Sequence, residues 1–461
     1  METYTVKARE PTVLQGQSHY VLQPRDYFIG LKVDTAHIVP GDIDIDRFND
    51  ALARTLQAYP AHAGRVIRPR DPKDPWTISL GNQGVPVTVM ESDAETEVPA
   101  NTVIQSPFPF TQSVKPVKYL DFDNDEPLLK ATIIRFKKTG NTSIGLCSSH
   151  LVGDGFAVLM FLRLLSQNYQ GLEPLDPPPS FTAPPRYPFN PADHNDIPSY
   201  HYKYLYPLRE VPPHMEPGRK KPVRVDLRLR AEQIAQLHKG VLAQCPESNP
   251  PILSRQDVLS AIVAYCLSKA DPEAPPIQHI STLFMARGIP PRSKNSAGNA
   301  LMLAVTKAAD DFDKETIFSI ALRIRQSLVQ CRDPAYAAAY DAAQEPLAIQ
   351  AINAELAQDF IPRPGHMVVN STWRFDWTSA HFGFPGQTRF YHTILDEPRF
   401  IKMFQPNPTR LPDGTWQVRP KDDVEIVFYI HKESRGTFMD LFAAQAHDLG
   451  MSGDVEWVPA Q

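Results

Sequence analysis

The sequence predicts a mixed α/β (α+β) protein of two domains, and three observations carry that reading. A chain of 461 residues exceeds the ~100–200 residues usual for one domain, and 42% hydrophobic content is enough for more than one core. Strand-like and helix-like segments are interleaved in both halves, with no short-period repeat. Between the halves, residues 176–222 crowd together Pro177-Pro178-Pro179, Pro184-Pro185, Pro212-Pro213 and the basic run Arg219-Lys220-Lys221. Proline fixes φ and removes a backbone donor, so this stretch reads as an extended crossover that Tyr200, Tyr202, Tyr204 and Tyr206 can anchor to a surface. The expected domains are therefore 1–175 and 223–461.

In the first half, Phe48, Ala51, Leu52, Thr55 and Leu56 recur at helical spacing between Asp46 and Tyr59, and Pro60 forbids continuation. Val85–Met90, Leu128–Phe136 and Thr142–Ser149 are β-branched, apolar runs of strand type, with Pro86 placing the first at a strand start or a sheet edge. Phe156 to Tyr169 reads as a strongly apolar helix. In the second half, a strand at Val223–Leu229 precedes a helix from Ala231 to about Val241. Ser254 with Asp257 makes a variant capping box for a helix that buries Val258, Leu259, Ile262, Val263 and Cys266. An amphipathic helix follows over Lys314–Cys331, then a strand at Val424–His431 and a final helix at Arg435–His447.

Composition excludes several function classes. A formal net charge of -5 argues against a broad nucleic-acid surface. Four cysteines, Cys147, Cys245, Cys266 and Cys331, are too scattered for a disulfide scaffold, and none has zinc-ligand spacing, so no metal is expected. Met1-Glu2-Thr3-Tyr4 lacks the basic and apolar regions of a signal peptide, and no apolar run approaches the ~18 residues of a membrane span. A cytoplasmic, monomeric protein that binds neither nucleic acid nor membrane is the expectation.

The most informative stretch is Ser148-Ser149-His150-Leu151-Val152-Gly153-Asp154-Gly155. Ile144, Leu146, Ser148 and His150 share one face of the preceding strand, which aims the histidine where the apolar face points. Gly153 and Gly155 bracket Asp154 and suit a tight turn into the following helix. Imidazole titrates near ~6.5 and can take a proton at neutral pH. Residues alone leave three readings of the pair open: a general base, a structural His–Asp contact, or two metal ligands.

The segment resembles the HxxxDG signature of the BAHD acyltransferases, and matching blocks recur in order along nearly the whole chain. Ala58-Tyr-Pro-Ala-His-Ala-Gly-Arg-Val66 resembles that family's YPLAGR block, and Ser254–Ala270 the helix that begins its second domain. Phe284-Met-Ala-Arg287, Pro290-Pro291 and Gly298-Asn299 resemble its DxR, PP and GN segment, with Met285 at the position of the Asp. Asn370-Ser-Thr-Trp373 resembles its SW block. At the DFGWG position the chain reads His381-Phe-Gly-Phe-Pro-Gly386, a divergence similar to that of acyltransferases of fungal secondary metabolism.

The resemblance implies two chloramphenicol-acetyltransferase-like domains, each a mixed sheet flanked by helices, with a channel between them. It implies His150 as general base, Asp154 turned away from substrate to pair with Arg287, and Gly155 allowing close approach at the channel. Acyl-CoA would be the co-substrate, with no tightly bound cofactor, and a small hydroxylated acceptor, less readily an amine, would be O-acylated. Thr372 is the expected donor to the thioester oxygen. Trp373, Phe375, Phe382 and Phe384 are expected at the acceptor, and Arg292 and Lys294 at the CoA phosphates. Phe375 stands where family members taking acidic acceptors carry Arg, which favours a hydrophobic acceptor. Two other readings stay open: a condensation-type enzyme using a carrier-protein thioester, although Ser149 replaces the second histidine such enzymes carry, and a non-catalytic ligand-binding homologue.

Overall fold

β-Branched and apolar runs from both halves pair into two seven-stranded mixed sheets in the computed structural model. The structure describes the chain apart from residues 12, 15, 28–30, 72–73, 95–101, 105–124, 183–204, 208–221, 247–250, 272–273, 291, 310–311, 359–360, 394–396 and 459–461. The first sheet runs, edge to edge, Glu2–Val6, Val85–Ser92, Leu129–Phe136, Asn141–Ser149, Lys32–Val39, Arg389–Thr393 and Val103–Ile104. The second runs Leu301–Lys307, His279–Met285, His366–Ser371, Phe400–Phe404, Val424–Ile430, Val223–Leu229 and Glu456–Trp457. Arg389–Thr393 comes from beyond residue 223 yet pairs antiparallel with Lys32–Val39, so the second half supplies a strand to the first sheet.

Local chemistry fixes the helices that frame the site. Asp44 accepts the Arg47 N–H at 3.0 Å and starts Ile45–Ala58, whose buried face is Phe48, Ala51, Leu52, Thr55 and Leu56, the stripe its spacing predicts. Ser254 and Asp257 exchange reciprocal side-chain bonds at 3.2 and 2.7 Å, a capping box for Arg255–Ala270. That helix is buried nearly all round, Ala261, Ala264 and Leu267 included, because three other helices and a sheet enclose it. Leu205–Pro207 pairs with Leu356–Gln358, burying Tyr206. Ser180 bridges to Ser296, with Ser180 N–H on Asn295 O at 2.9 Å and Ala297 N–H on Ser180 O at 2.8 Å. Most of the expected crossover, including Pro184-Pro185, Tyr200, Tyr202, Tyr204, Pro212-Pro213 and Arg219–Lys221, lies outside the described residues.

Two expectations change. Asn141–Ser149 is buried on both faces: Ile144 and Leu146 join the core under the helices, while Cys147 meets Ala36, Ile38, Phe136 and Tyr391 on the other side. The helix Pro334–Asn353 has no counterpart in the sequence reading. Its alanines give no two-sided pattern, and Pro346 within it argues against a helix.

Candidate active site

His150 follows the last residue of Asn141–Ser149 and lies in the first sheet's central region, where its N–H donates to Leu31 O at 3.0 Å. It is 9% exposed. Burial pushes its pKa below the ordinary value, while the negative charge of Asp154, the nearby polar groups of its own backbone and of Asn299, and the charge of Asp26 act the other way. At neutral pH the ring is an uncharged proton acceptor.

Asp154 is fully buried and does two jobs with its two oxygens. Oδ1 caps the helix Gly155–Gln170 by accepting Phe156 N–H at 3.1 Å and Ala157 N–H at 3.0 Å. Oδ2 accepts Arg287 Nη1 and Ala300 N–H, both at 2.8 Å. Burial alone would raise its pKa, but the Arg287 charge and these hydrogen bonds outweigh it and hold the carboxyl below its usual value. Arg287 also donates Nε to Ser296 O at 3.0 Å and Nη2 to Gly298 O, and its guanidinium lies 5.2 Å over the Phe156 ring. Removing one partner of such a buried pair typically costs ~3–5 kcal/mol, because the other charge is left bare. The pair is therefore a joint: Asp154 belongs to the first half, Arg287 and Ala300 to the second.

The turn between them depends on glycine at one point. A methyl group on Gly153 would lie 2.6 Å from Ala157 Cβ and 3.1 Å from Ala297 O, whereas one on Gly155 would meet no atom within 4 Å. The space beside Gly155 is open, next to the histidine-bearing turn.

The other predicted residues divide. Phe375, half-buried, is brought to the site: its ring meets Phe156 edge-on at 5.2 Å, the same ring that carries Arg287. Thr372 lies in the same turn, its N–H on Met403 O at 3.0 Å and its hydroxyl accepting Trp377 Nε1 at 3.4 Å. Trp373 is 0% exposed in the second core, with Nε1 on Asp423 O at 2.7 Å, and has no surface to offer an acceptor. Phe382 is 1% exposed and packs on Phe48, Tyr169 and His37. Its N–H donates to Ser166 Oγ at 2.9 Å, near the far end of Gly155–Gln170. Phe384 covers Gly41, just beyond Val39, and eight strand residues at ~3.3 Å each separate that end from Leu31 beside His150. Phe382 and Phe384 are thus not brought to the histidine. Arg292 is buried and ion-paired with Asp341, so its charge is already engaged; Lys294 is exposed.

Three residues at the site were not singled out for a role by sequence reasoning: Asp26, Phe156 and Asn299. Asn299 stands in the quoted Gly298-Asn299 pair, a signal without an assigned chemistry. Asp26 follows Pro24-Arg25 in a short 3-10 turn with no periodicity to mark it. Among the described residues no group of His, Cys, Asp and Glu could hold a metal ion, and no helix is long and apolar enough to cross a membrane.

A family model described as "Transferase family" matches residues 35–393. Several solved structures share the fold. TRI101 of F. sporotrichioides, complexed with coenzyme A and T-2, is 15% identical, with 94% of this chain and 97% of that chain covered and a TM-score of 0.62. Vinorine synthase is 16% identical, with 95% of each chain covered and a TM-score of 0.66. The starter condensation domain of rhizomide synthetase RzmA, a mutant in complex with C8-CoA and Leu-SNAC, is 12% identical, with 95% of this chain and 98% of that chain covered and a TM-score of 0.56. No curated protein matches the sequence.

Proposed function

The chain belongs to the Transferase family, that of the BAHD acyltransferases, and from that premise we propose that this acyltransferase moves an acyl group from a CoA thioester to a hydroxyl of a small hydrophobic metabolite, with His150 as general base. The observation that carries the reading is the joint at the site. An uncharged, buried imidazole ends a central strand, and the turn behind it is locked by Asp154, Arg287 and Ala300, with open space beside Gly155.

In the proposed reaction, His150 takes the proton of the acceptor hydroxyl as its oxygen forms a bond to the thioester carbonyl carbon. The tetrahedral intermediate collapses, the carbon–sulfur bond breaks, and the departing CoA sulfur receives the proton from the imidazolium. General-base assistance of this kind is typically worth ~10²–10⁴ in rate. Asp154 is oriented away from the reacting atoms and acts by holding the turn. Thr372, whose hydroxyl hydrogen is left for donation when its oxygen accepts from Trp377, is the proposed donor to the thioester oxygen. Phe375 lines the acceptor side with Phe156. Trp373 supports the acceptor region indirectly, through the turn it anchors, and Phe382 and Phe384 take no part in it. Lys294 is the basic residue proposed for the CoA phosphates, and a cytoplasmic monomer in a secondary-metabolite pathway is the proposed setting.

The TRI101 structures that hold coenzyme A with T-2 support a CoA donor and a small-molecule acceptor. The likeness to the RzmA condensation domain favours a second reading, a carrier-protein thioester as donor; the acyl transfer itself would be the same. The deciding experiment offers the purified chain acyl-CoAs of two to eight carbons and, separately, the same acyl groups on a phosphopantetheinyl carrier protein, over a panel of hydrophobic alcohols and amines. Mass spectrometry of an O-acylated product from CoA alone supports the first reading. Product only from the carrier overturns it in favour of the second.

A further inference from the structure

Residues 298–300 are gripped by two carboxylates of the first half. Asp154 Oδ2 accepts Ala300 N–H at 2.8 Å, and Asp26 Oδ1 accepts both the backbone N–H of Asn299 at 3.2 Å and its Nδ2 at 3.1 Å. Asp26 is itself fully buried, and its second oxygen takes the Tyr20 hydroxyl at 3.0 Å and Gln23 N–H at 2.9 Å. A carboxylate held on both oxygens cannot turn, so it fixes the Asn299 amide with its nitrogen, the donor end, toward Asp26. That same nitrogen donates to the His150 carbonyl at 2.8 Å. Gly298 permits the close approach: a methyl group there would lie 3.2 Å from the Tyr20 hydroxyl and 3.3 Å from Asp26 Oδ1.

We propose that Asn299, oriented by Asp26 and Tyr20, is a positioning residue for His150. It ties the main chain of the base to the second half, as Asp154 ties the turn that follows. The assignment rests on the reading of His150 as the base. The contact is to the backbone carbonyl of His150, so Asn299 acts on the imidazole by fixing the main chain that carries it. A misplacement of roughly 1 Å in such a group can cost ~10²-fold in rate.

The test uses the full-length chain as wild type, Asn299→Ala, Asp26→Asn and the double variant Asp26→Asn/Asn299→Asp. The double variant keeps volume and keeps a hydrogen bond between positions 26 and 299, but leaves position 299 with no side-chain hydrogen for the His150 carbonyl. Asn299→Ala and the double variant should each lower kcat by about 10- to 100-fold while both KM values stay within about twofold, with Asp26→Asn intermediate. A kcat for Asn299→Ala within twofold of wild type overturns the assignment. So does recovery of kcat in the double variant, since that would make the 26–299 contact a clamp with no bearing on His150. If Asn299→Ala does not fold, the double variant decides. Absence of turnover by wild type would sink the functional reading and leave this one decidable by histidine-¹³C NMR of the ligand-free protein. The His150 signal, identified with His150→Gln, must shift in the double variant, and an unmoved signal overturns the positioning role.

Discussion

At the scale of single residues, the proposed chemistry turns on how His150 is kept uncharged. Its burial lowers its pKa, and Asp154 and Asp26 only partly offset that. A base acts in its neutral form, so activity is present above the folded pKa and lost as pH falls through it. The acid limb of kcat/KM against pH should therefore lie below the ordinary histidine value of about 6.5; a limb at or above pH 7 would mean that the Asp154 and Asp26 charges dominate instead. The Asp154–Arg287 pair could be read from the sequence because HxxxDG and the later Arg fall in ordered blocks. Asn299 and Asp26 could not be given roles, because a hydrogen bond between residues 273 positions apart leaves no local pattern. Arg292 illustrates the converse: a basic residue in a suggestive place whose charge Asp341, on a helix invisible to periodicity, has already taken.

At the scale of elements, the turn 150–155 and the block 381–386 play different parts. Gly153 has no room for a side chain and Gly155 has ample room. Gly153→Ala should destabilise the protein by about 1–3 kcal/mol through overpacking and lower kcat with it. Gly155→Ala should be neutral or slightly stabilising in a helix's first turn, by up to ~1 kcal/mol, while raising KM by narrowing the open side. Thermal melts and initial rates on the two variants check both, and equal destabilisation would show that the space beside Gly155 is closed. Phe382 is held at φ 50° because its ring is buried under the two helices of the first half. Phe382→Ala should cost about 3–5 kcal/mol of stability with kcat of the remaining folded enzyme within about threefold of wild type. A selective loss of kcat would return this residue to the acceptor site. The sequence carried the spans of these elements well, since capping boxes and apolar stripes are local. It could not show that the 381–386 block docks at the far end of Gly155–Gln170, because aromatic clustering looks the same in a core and in a binding site.

At the scale of the whole molecule, the two halves are joined through charge and shared strands. Arg287, Asn299 and Ala300 reach across to Asp154 and Asp26, and Arg389–Thr393 completes the first sheet. Two-domain organisation was legible from length and interleaving, but the exchanged strand was not, since nothing local in a five-residue run says which sheet it joins. Buried histidines make this fold sensitive to acid. His37 is pushed down to about 4 and His62, stacked on Phe161, to about 3, mainly by burial. The unfolded chain takes up these protons first, so the stability they contribute is complete above about pH 6.5 and declines as pH falls toward 4. The melting temperature should drop between pH 7 and pH 5, and less in His62→Leu than in wild type; a pH-independent melt would remove this account. Acceptor-dependent release of CoA thiol, compared between wild type and His150→Ala, tests the proposed transfer most directly. Wild type should release thiol only when an alcohol acceptor is present, and His150→Ala should do so ~10²–10⁴-fold more slowly. Undiminished, acceptor-dependent release by His150→Ala would contradict the mechanism.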